Sequence, residues 1–185
     1  MIRIRLASAD EIHKVAPLEQ AAAEVFRSIG MDAVADDPPI AESILLQAVE
    51  EQRLWFAVEY GVLKAYLLGD FLPQSLHIEQ VTVHPDAARR GLGALMIESV
   101  SADPRSKERG LITLTSFANV PWNAPYYERI GFLDIAESDW PEGVAEKVAA
   151  EQEHGLAAWP RVVMQRVIPA VPDAFPPDGT PIRES

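Results

Sequence analysis

The stretch TVHPDAARRGLGALMIESV, Thr82–Val100, concentrates residue types suited to gripping an anion. A β-branched strand end runs into the His84-Pro85 turn and then into Ala88, Arg89, Arg90, Gly91, Leu92 and Gly93. An apolar-periodic helix follows. The start of a helix presents backbone N–H groups that lack intrahelical partners, and the helix dipole adds positive potential there. Gly91 and Gly93 admit a ligand to the backbone where a Cβ would intervene, and the two arginines add charge. A diphosphate is the guest that suits such a loop. The alternative is an ordinary helix start with glycines for a tight turn. Two other phosphate motifs do not fit. Gly-x-x-x-x-Gly-Lys-Ser/Thr does not occur, and Gly-x-Gly-x-x-Gly fails because Met96 stands third after Gly93.

Composition narrows the partners. A formal net charge of −12 disfavours nucleic acid, which needs a basic surface. It leaves a cationic substrate open. The absence of cysteine excludes disulfides, thiolate metal sites and a thiol nucleophile. The four histidines, 13, 77, 84 and 154, have no metal-ligand spacing, so no metal is predicted. MIRIRLASAD alternates charged and apolar residues, unlike a signal peptide, and no apolar run has membrane-spanning length. The expectation is a cytoplasmic protein without a membrane partner.

The elements that must position the loop follow from periodicity. Ile2–Ala7 reads as a strand, and Ser8 with Glu11 as a capping box for a helix ending near Gly30. Ile40, Ile44, Leu45, Ala48 and Val49 mark a second helix. Leu54–Phe71 reads as two strands turned at Gly61, and Leu76–Val83 as another. The helix after the glycine loop carries Leu92, Leu95, Met96 and Val100 on one stripe and stops before Pro104. Leu111–Phe117 is a strand and Asn123–Gly131 a short helix. Phe132–Ala136 and Arg161–Ile168 are the last strands, with an acidic insertion, helical from Glu142 to His154, between them. Five prolines from Pro169 onward predict an extended tail.

From Leu76 to Phe132 the chain resembles the GNAT superfamily of acyl-CoA-dependent N-acetyltransferases. That family's Gln/Arg-x-x-Gly-x-Gly/Ala loop aligns with Ala88-Arg89-Arg90-Gly91-Leu92-Gly93, with Ala88 departing at the first position. Its Tyr-x-x-x-Gly-Phe signature aligns with Tyr127-Glu128-Arg129-Ile130-Gly131-Phe132, preceded by Asn119 to Asn123. The resemblance implies an α+β, three-layer fold. Its mixed, strongly twisted sheet, flanked by helices, would splay between the fourth and fifth strands, with coenzyme A in the split. Residues 1–168 would form this domain and 169–185 a proline-rich tail.

The chemistry so implied is direct transfer of an acetyl group from acetyl-CoA to an amine, in a ternary complex without an acyl-enzyme. The amine must lose a proton, its reference pKa being about 10.4, and the departing thiolate must gain one. By position in the family pattern, Tyr127 is the acid; packing is its alternative role. Glu79 is the candidate base, with strand decoration as the alternative, and His77 shares its face. Strict alternation groups Glu79, Val81 and Val83 on one side of the strand. Backbone N–H groups around Val81–Val83, where the family carries a bulge, would stabilise the oxyanion. Arg89, Arg90, Gly91, Gly93, Ala94 and the residue at Ala88 would hold the diphosphate. Asn119 and Asn123 would contact the pantetheine arm, although Asn123 also suits an N-cap. Trp122 would line the channel or the core. Arg105, Lys107, Arg109 and Arg129 are candidates for the 3′-phosphate, and His84 reads as structural.

Acidic residues in Ser28–Ser43 and Glu137–Pro160 would draw in a cationic amine by steering. The expected acceptor is a small molecule or amino-acid-like amine. Acetylation of a protein N-terminus or lysine, or a CoA-binding regulator without turnover, are the alternatives. A homodimer is left open.

Overall fold

A computed structural model describes residues 1–153 and 158–169. The proline-rich tail expected from Pro169 onward and the His154 end of the acidic insertion's helix lie, but for Pro169, outside these residues. Among the described residues one mixed sheet contains β1 (Ile2–Leu6), β2 (Leu54–Glu59), β3 (Val62–Phe71), β4 (Leu76–Val83), β5 (Leu111–Phe117), β6 (Leu133–Asp134) and β7 (Arg161–Val167). Their spatial order is β1-β2-β3-β4-β5-β7-β6. Only β4 and β5 run parallel; every other pairing is antiparallel. A parallel neighbour requires a crossover. Here α4 (Leu92–Ser101) and α5 (Pro104–Arg109) supply it.

Helices cover both faces. α1 (Val15–Ala23) and α3 (Glu42–Glu50) pack Val15, Leu18, Leu45 and Ala48 onto Leu54, Phe56, Tyr66 and Leu68. On the other face α4 sends Leu92, Met96, Ile97 and Val100 against Leu67, Leu76, Ile78, Ile112 and Leu114. α2 (Asp32–Ala35), α6 (Ala124–Arg129) and α7 (Val144–Glu153) complete the α-helices among the described residues. At the β2–β3 turn, Tyr60 and Gly61 both have positive φ, 50° and 79°, as a two-residue turn matched to strand twist requires.

Local chemistry departs from periodicity in four places. Ser8 forms no cap to the helix; its hydroxyl donates to the Asp10 and Glu11 carboxylates instead. Glu11 also pairs with Arg5 and Lys14, and these contacts, Lys14 foremost, hold its carboxyl down at about 2. The first helix is broken into 3-10 turns at Ala9–Lys14 and Glu24–Ile29 around α1. On α4 it is Ile97, not Leu95, that joins the buried stripe; Leu95 is exposed. Finally, α5 escapes apolar periodicity because Pro-Arg-Ser-Lys-Glu-Arg is nearly all polar. Asp103 caps it, accepting from the Arg105 amide, with Pro104 at the first turn.

A polar strut joins the layers. The fully buried Tyr66 hydroxyl on β3 donates to Glu19 of α1, whose carboxylate also accepts from the Ile40 amide at 3.0 Å. Burial raises the carboxyl of Glu19 against these bonds. Tyr66→Phe removes the phenol donor from the half-buried Glu19 carboxylate, and urea unfolding should show a loss of about 1–3 kcal/mol. An unchanged midpoint would mean that the strut carries no stability.

His77 on β4 is 1% exposed, its Nδ1 lying 3.0 Å from the Thr113 hydroxyl. Burial depresses its pKa from 6.5 to about 4. The unfolded chain therefore binds the extra proton between those values. Stability is unaffected by this group above pH 6.5 and falls as pH drops from 6.5 towards 4. His77→Gln should flatten that part of the stability–pH curve relative to wild type; parallel curves would contradict the assignment.

Candidate active site

The site begins where two strands part. β4 and β5 pair at only three positions, Leu76 with Ile112, His77 with Thr113 and Ile78 with Leu114. Beyond them Gln80–Val83 stay paired to β3, while Thr115–Phe117 stay paired to β7. The register between β3 and β4 slips at that point. Leu68 opposes Gln80 and Gly69 opposes Ile78, which leaves Glu79 as the extra residue of a β-bulge. The irregularity thus lies at Glu79, ahead of the Val81–Val83 stretch where the resemblance led it to be expected.

The bulge also resets which residues share a face. Val81 and Val83 pack against the core beneath α4, with Leu76 and Ile78. Glu79 instead meets Lys147 of α7 at 2.6 Å and Arg53 at 3.3 Å. Strict alternation is therefore corrected: one inserted residue moves Val81 and Val83 off the Glu79 side. Lys147 also pairs with Asp70 at 2.6 Å. Its burial opposes the charge, but the bonds to Asp70 and Glu79 hold its pKa above the usual lysine value. His77 feels Lys147 and Asp70 electrostatically, so it belongs to the same neighbourhood.

The glycine loop follows β4 directly. Ala88 has extended ψ, Arg89 takes φ +59° and Gly91 takes φ +75°. Positive φ at a non-glycine residue is uncommon, and alternating handedness of this kind is the backbone pattern of anion nests. A Cβ built on Gly91 would meet nothing within 4 Å, so its glycine is required by backbone conformation. Gly93 is required by space: a Cβ there would lie 2.9 Å from the Tyr126 hydroxyl. Burial raises the pKa of this phenol, and the nearby Ala94 amide in the first turn of α4 opposes that shift. The first backbone bond within the helix runs from the Leu95 amide to Gly91. Arg90 is engaged elsewhere, making two bonds to Glu59 at 2.9 and 2.8 Å, while Arg89 is exposed.

α6 brings the tyrosines to this loop. Asn123 precedes it, and its carbonyl accepts from the Tyr126 and Tyr127 amides. Its side chain makes no capping hydrogen bond, so the N-cap explanation for this asparagine is not realised. Asn119 lies exposed in the turn before it. Tyr127 packs edge-on against Tyr126 and Phe132, with ring centroids at 5.4 and 5.6 Å. Burial pushes its phenol above the ordinary tyrosine value, so it holds its proton through the neutral range.

Other candidates disperse. Arg105 and Arg109 pack over Phe71 and donate to the carbonyls of Glu51, Gln52 and Leu72, at the end of β4 remote from the loop. Arg129 stands over the Tyr126 ring at 5.9 Å and is thus beside the loop; Lys107 is exposed. His84 caps its turn, accepting from the Asp86 amide. Trp122 is partly exposed and meets Phe26 edge-on at 5.8 Å, rather than entering the core. Among the described residues no cluster of His, Cys, Asp and Glu suited to a metal ion occurs, and no helix is long and apolar enough to cross a membrane.

The sequence motifs single out Tyr127 and leave out Tyr126. Its seat on the loop depends on Gly93, and that pairing is visible only in three dimensions.

Known proteins share this arrangement in part of their sequence and in their fold. Residues 50–133 match the model of the acetyltransferase (GNAT) domain. Among solved structures, the ribosomal-protein-S18-alanine N-acetyltransferase of Escherichia coli superposes with TM-score 0.62 at 17% identity, over 95% of this chain and 99% of that one. PaiA N-acetyltransferase of Thermoplasma acidophilum, solved with coenzyme A, gives 0.62 at 11% identity, over 90% and 99%. N-acetylglutamate synthase of Neisseria gonorrhoeae, with coenzyme A and N-acetyl-glutamate, gives 0.66 at 14% identity, over 91% of this chain and 35% of that longer one. The central segment thus matches the GNAT acetyltransferase domain model, and the chain shares its fold with these N-acetyltransferases.

Proposed function

We propose that the protein transfers an acetyl group from acetyl-CoA to the amine of a small molecule or amino-acid-like acceptor. The observation that carries this reading is the coincidence of three features at one end of the sheet: strands that separate after Ile78 and Leu114, a nest-like loop at the start of α4, and Tyr127 beside it. The residues present fit the cosubstrate. Donor amides at the first turn of α4 and the Cβ-free Gly93 suit its diphosphate. Val81 and Val83 flank the split, and the uncapped Asn123 amide, with Asn119 beyond it, suits the polar pantetheine arm. Ala88 contributes only backbone, Arg89 its exposed charge, and Arg90 its charge once its pair with Glu59 opens.

In the transfer, the amine nitrogen bonds to the thioester carbonyl carbon and the carbon–sulfur bond breaks. Glu79 takes the first ammonium proton, directly or through water. Tyr127 gives its phenolic proton to the leaving sulfur and recovers one from the newly formed amide nitrogen through solvent. A phenol kept protonated by burial suits the donor role, since a thiolate of pKa about 8.5 leaves poorly unassisted near neutrality. Without cysteine, the chain has no thiol to form an acyl-enzyme.

Tyr127→Phe keeps the ring packing and removes the proton. It should lower kcat by about 10²-fold or more in a thiol-release assay, with KM for acetyl-CoA little changed. Equal kcat in the two proteins would remove Tyr127 from the chemistry. Gly93→Ala places a methyl against the Tyr126 hydroxyl and in the approach to the α4 amides. Calorimetry should show CoA binding about tenfold weaker, the equivalent of roughly one hydrogen bond, with part regained when Tyr126→Phe is added. Unaltered affinity in Gly93→Ala would put the diphosphate elsewhere.

A further inference from the structure

On β5, Ile112 and Leu114 enter the core beneath α4, so Thr113, Thr115 and Phe117 point to the opposite face. There a cavity of about 320 Å³ is lined by Thr115, Trp140, Glu151, Trp159, Arg161 and Val163 among others. Thr115 is the first β5 residue past the last pairing with β4, which puts the cavity at the mouth of the split, across the sheet from α4. Glu151 of α7 and Arg161 of β7 face each other in it, Oε2 to Nη2 at 3.0 Å. Neither partner is saturated. Glu151 Oε2 and Arg161 Nε are buried, and among the described residues neither makes a hydrogen bond of proper geometry. The guanidinium also stands over the Phe117 ring, its central carbon 4.9 Å from the centroid, a cation–π contact that helps hold it in place.

A desolvated guanidinium with an unused donor calls for a carboxylate, the group its planar fork matches. Burial acts on both charges, raising the pKa of Glu151 and lowering that of Arg161, so each gains from a further opposite charge. Glu79 and Lys147 act on Glu151 electrostatically, which links the cavity to the bulge. The volume lies at the small end of ligand pockets, and Trp140, Trp159 and Val148 give it an apolar wall.

Resting on the transferase reading above, we propose that this cavity is the acceptor pocket and that the acceptor carries a carboxylate as well as the amine, as an α-amino acid does. Arg161 receives the carboxylate on its Nε edge. Glu151 holds the guanidinium in place, and with Glu79 it gives the ammonium end a negative surround facing the split. Arg161 and Glu151 are specificity-determining residues; neither performs the transfer itself.

Matched acceptors test this on the wild-type protein. Thiol release from acetyl-CoA is measured with amino acids of small and apolar side chain, with the amines left by removing their carboxylates, with their amides, with polyamines and with peptides. The amino acid should exceed its decarboxylated partner in kcat/KM by at least about tenfold, the scale of one charge-assisted hydrogen bond. Arg161→Gln should raise KM for the amino acid by a similar factor, with little change in kcat or in the KM of any slow decarboxylated amine. Should that variant not fold, the wild-type comparison decides alone. Turnover of decarboxylated amines, polyamines or peptides as fast as amino acids, or faster, would overturn the acceptor assignment and leave the transferase intact. Release with no amine at all would overturn the transferase reading, and the acceptor pocket with it.

Discussion

Everything at the site depends on the failure of β4 and β5 to remain paired. Three register positions join them, and then each strand keeps only its other neighbour. A sheet interior normally uses both edges of every strand, because unpaired peptide groups are costly to bury. Parting the strands therefore creates polar edges that a ligand rich in amide groups can satisfy. The bulge at Glu79 gives the parting a physical origin. One extra residue bends β4 and increases its twist at the point where contact with β5 is lost.

The two faces of the sheet then acquire different tasks. Beneath α4 lie the loop, Tyr126 and Tyr127, with Val81 and Val83 on the core side of the bulge. On the far face lie His77, Glu79, Lys147 and Asp70, and beyond them the Glu151–Arg161 cavity. Lys147 ties the acidic insertion to the sheet by bridging Asp70 of β3 and Glu79 of β4, and Glu151 does so through Arg161 of β7. The insertion that raised the expectation of simple steering by negative charge thus also delivers a cation to the site.

Much of this was legible in the sequence, for identifiable reasons. Apolar or β-branched runs bounded by turn residues mark β2 to β5 and β7 closely. Gly91, Gly93, Tyr127 and Gly131-Phe132 marked the loop and the tyrosine because backbone conformation and family spacing restrict those positions. What was not legible depended on contacts between distant segments. A bulge leaves no residue signature at Glu79, so alternation misassigned Val81 and Val83. Arg89 takes a left-handed conformation that its side chain does not advertise. α5 is held by a cap and a proline rather than by an apolar stripe, and β6 shrinks to Leu133–Asp134 because only two residues meet β7. Arg161 and Glu151 are unremarkable until β5 and β7 bring Thr115 and Phe117 beside them.

The seating of a diphosphate on the first-turn amides of α4, with the rest of coenzyme A in the opening between β4 and β5, is the claim from which the others follow. Backbone amide NMR during titration with coenzyme A examines it residue by residue. Saturable shifts at Arg89 to Ala94, at Val81 and Val83 and at Asn123 to Tyr127, with slowed exchange of the Gly93 and Ala94 amides, are the expected result. Shifts confined to other parts of the chain, or no saturable change at all, would contradict it.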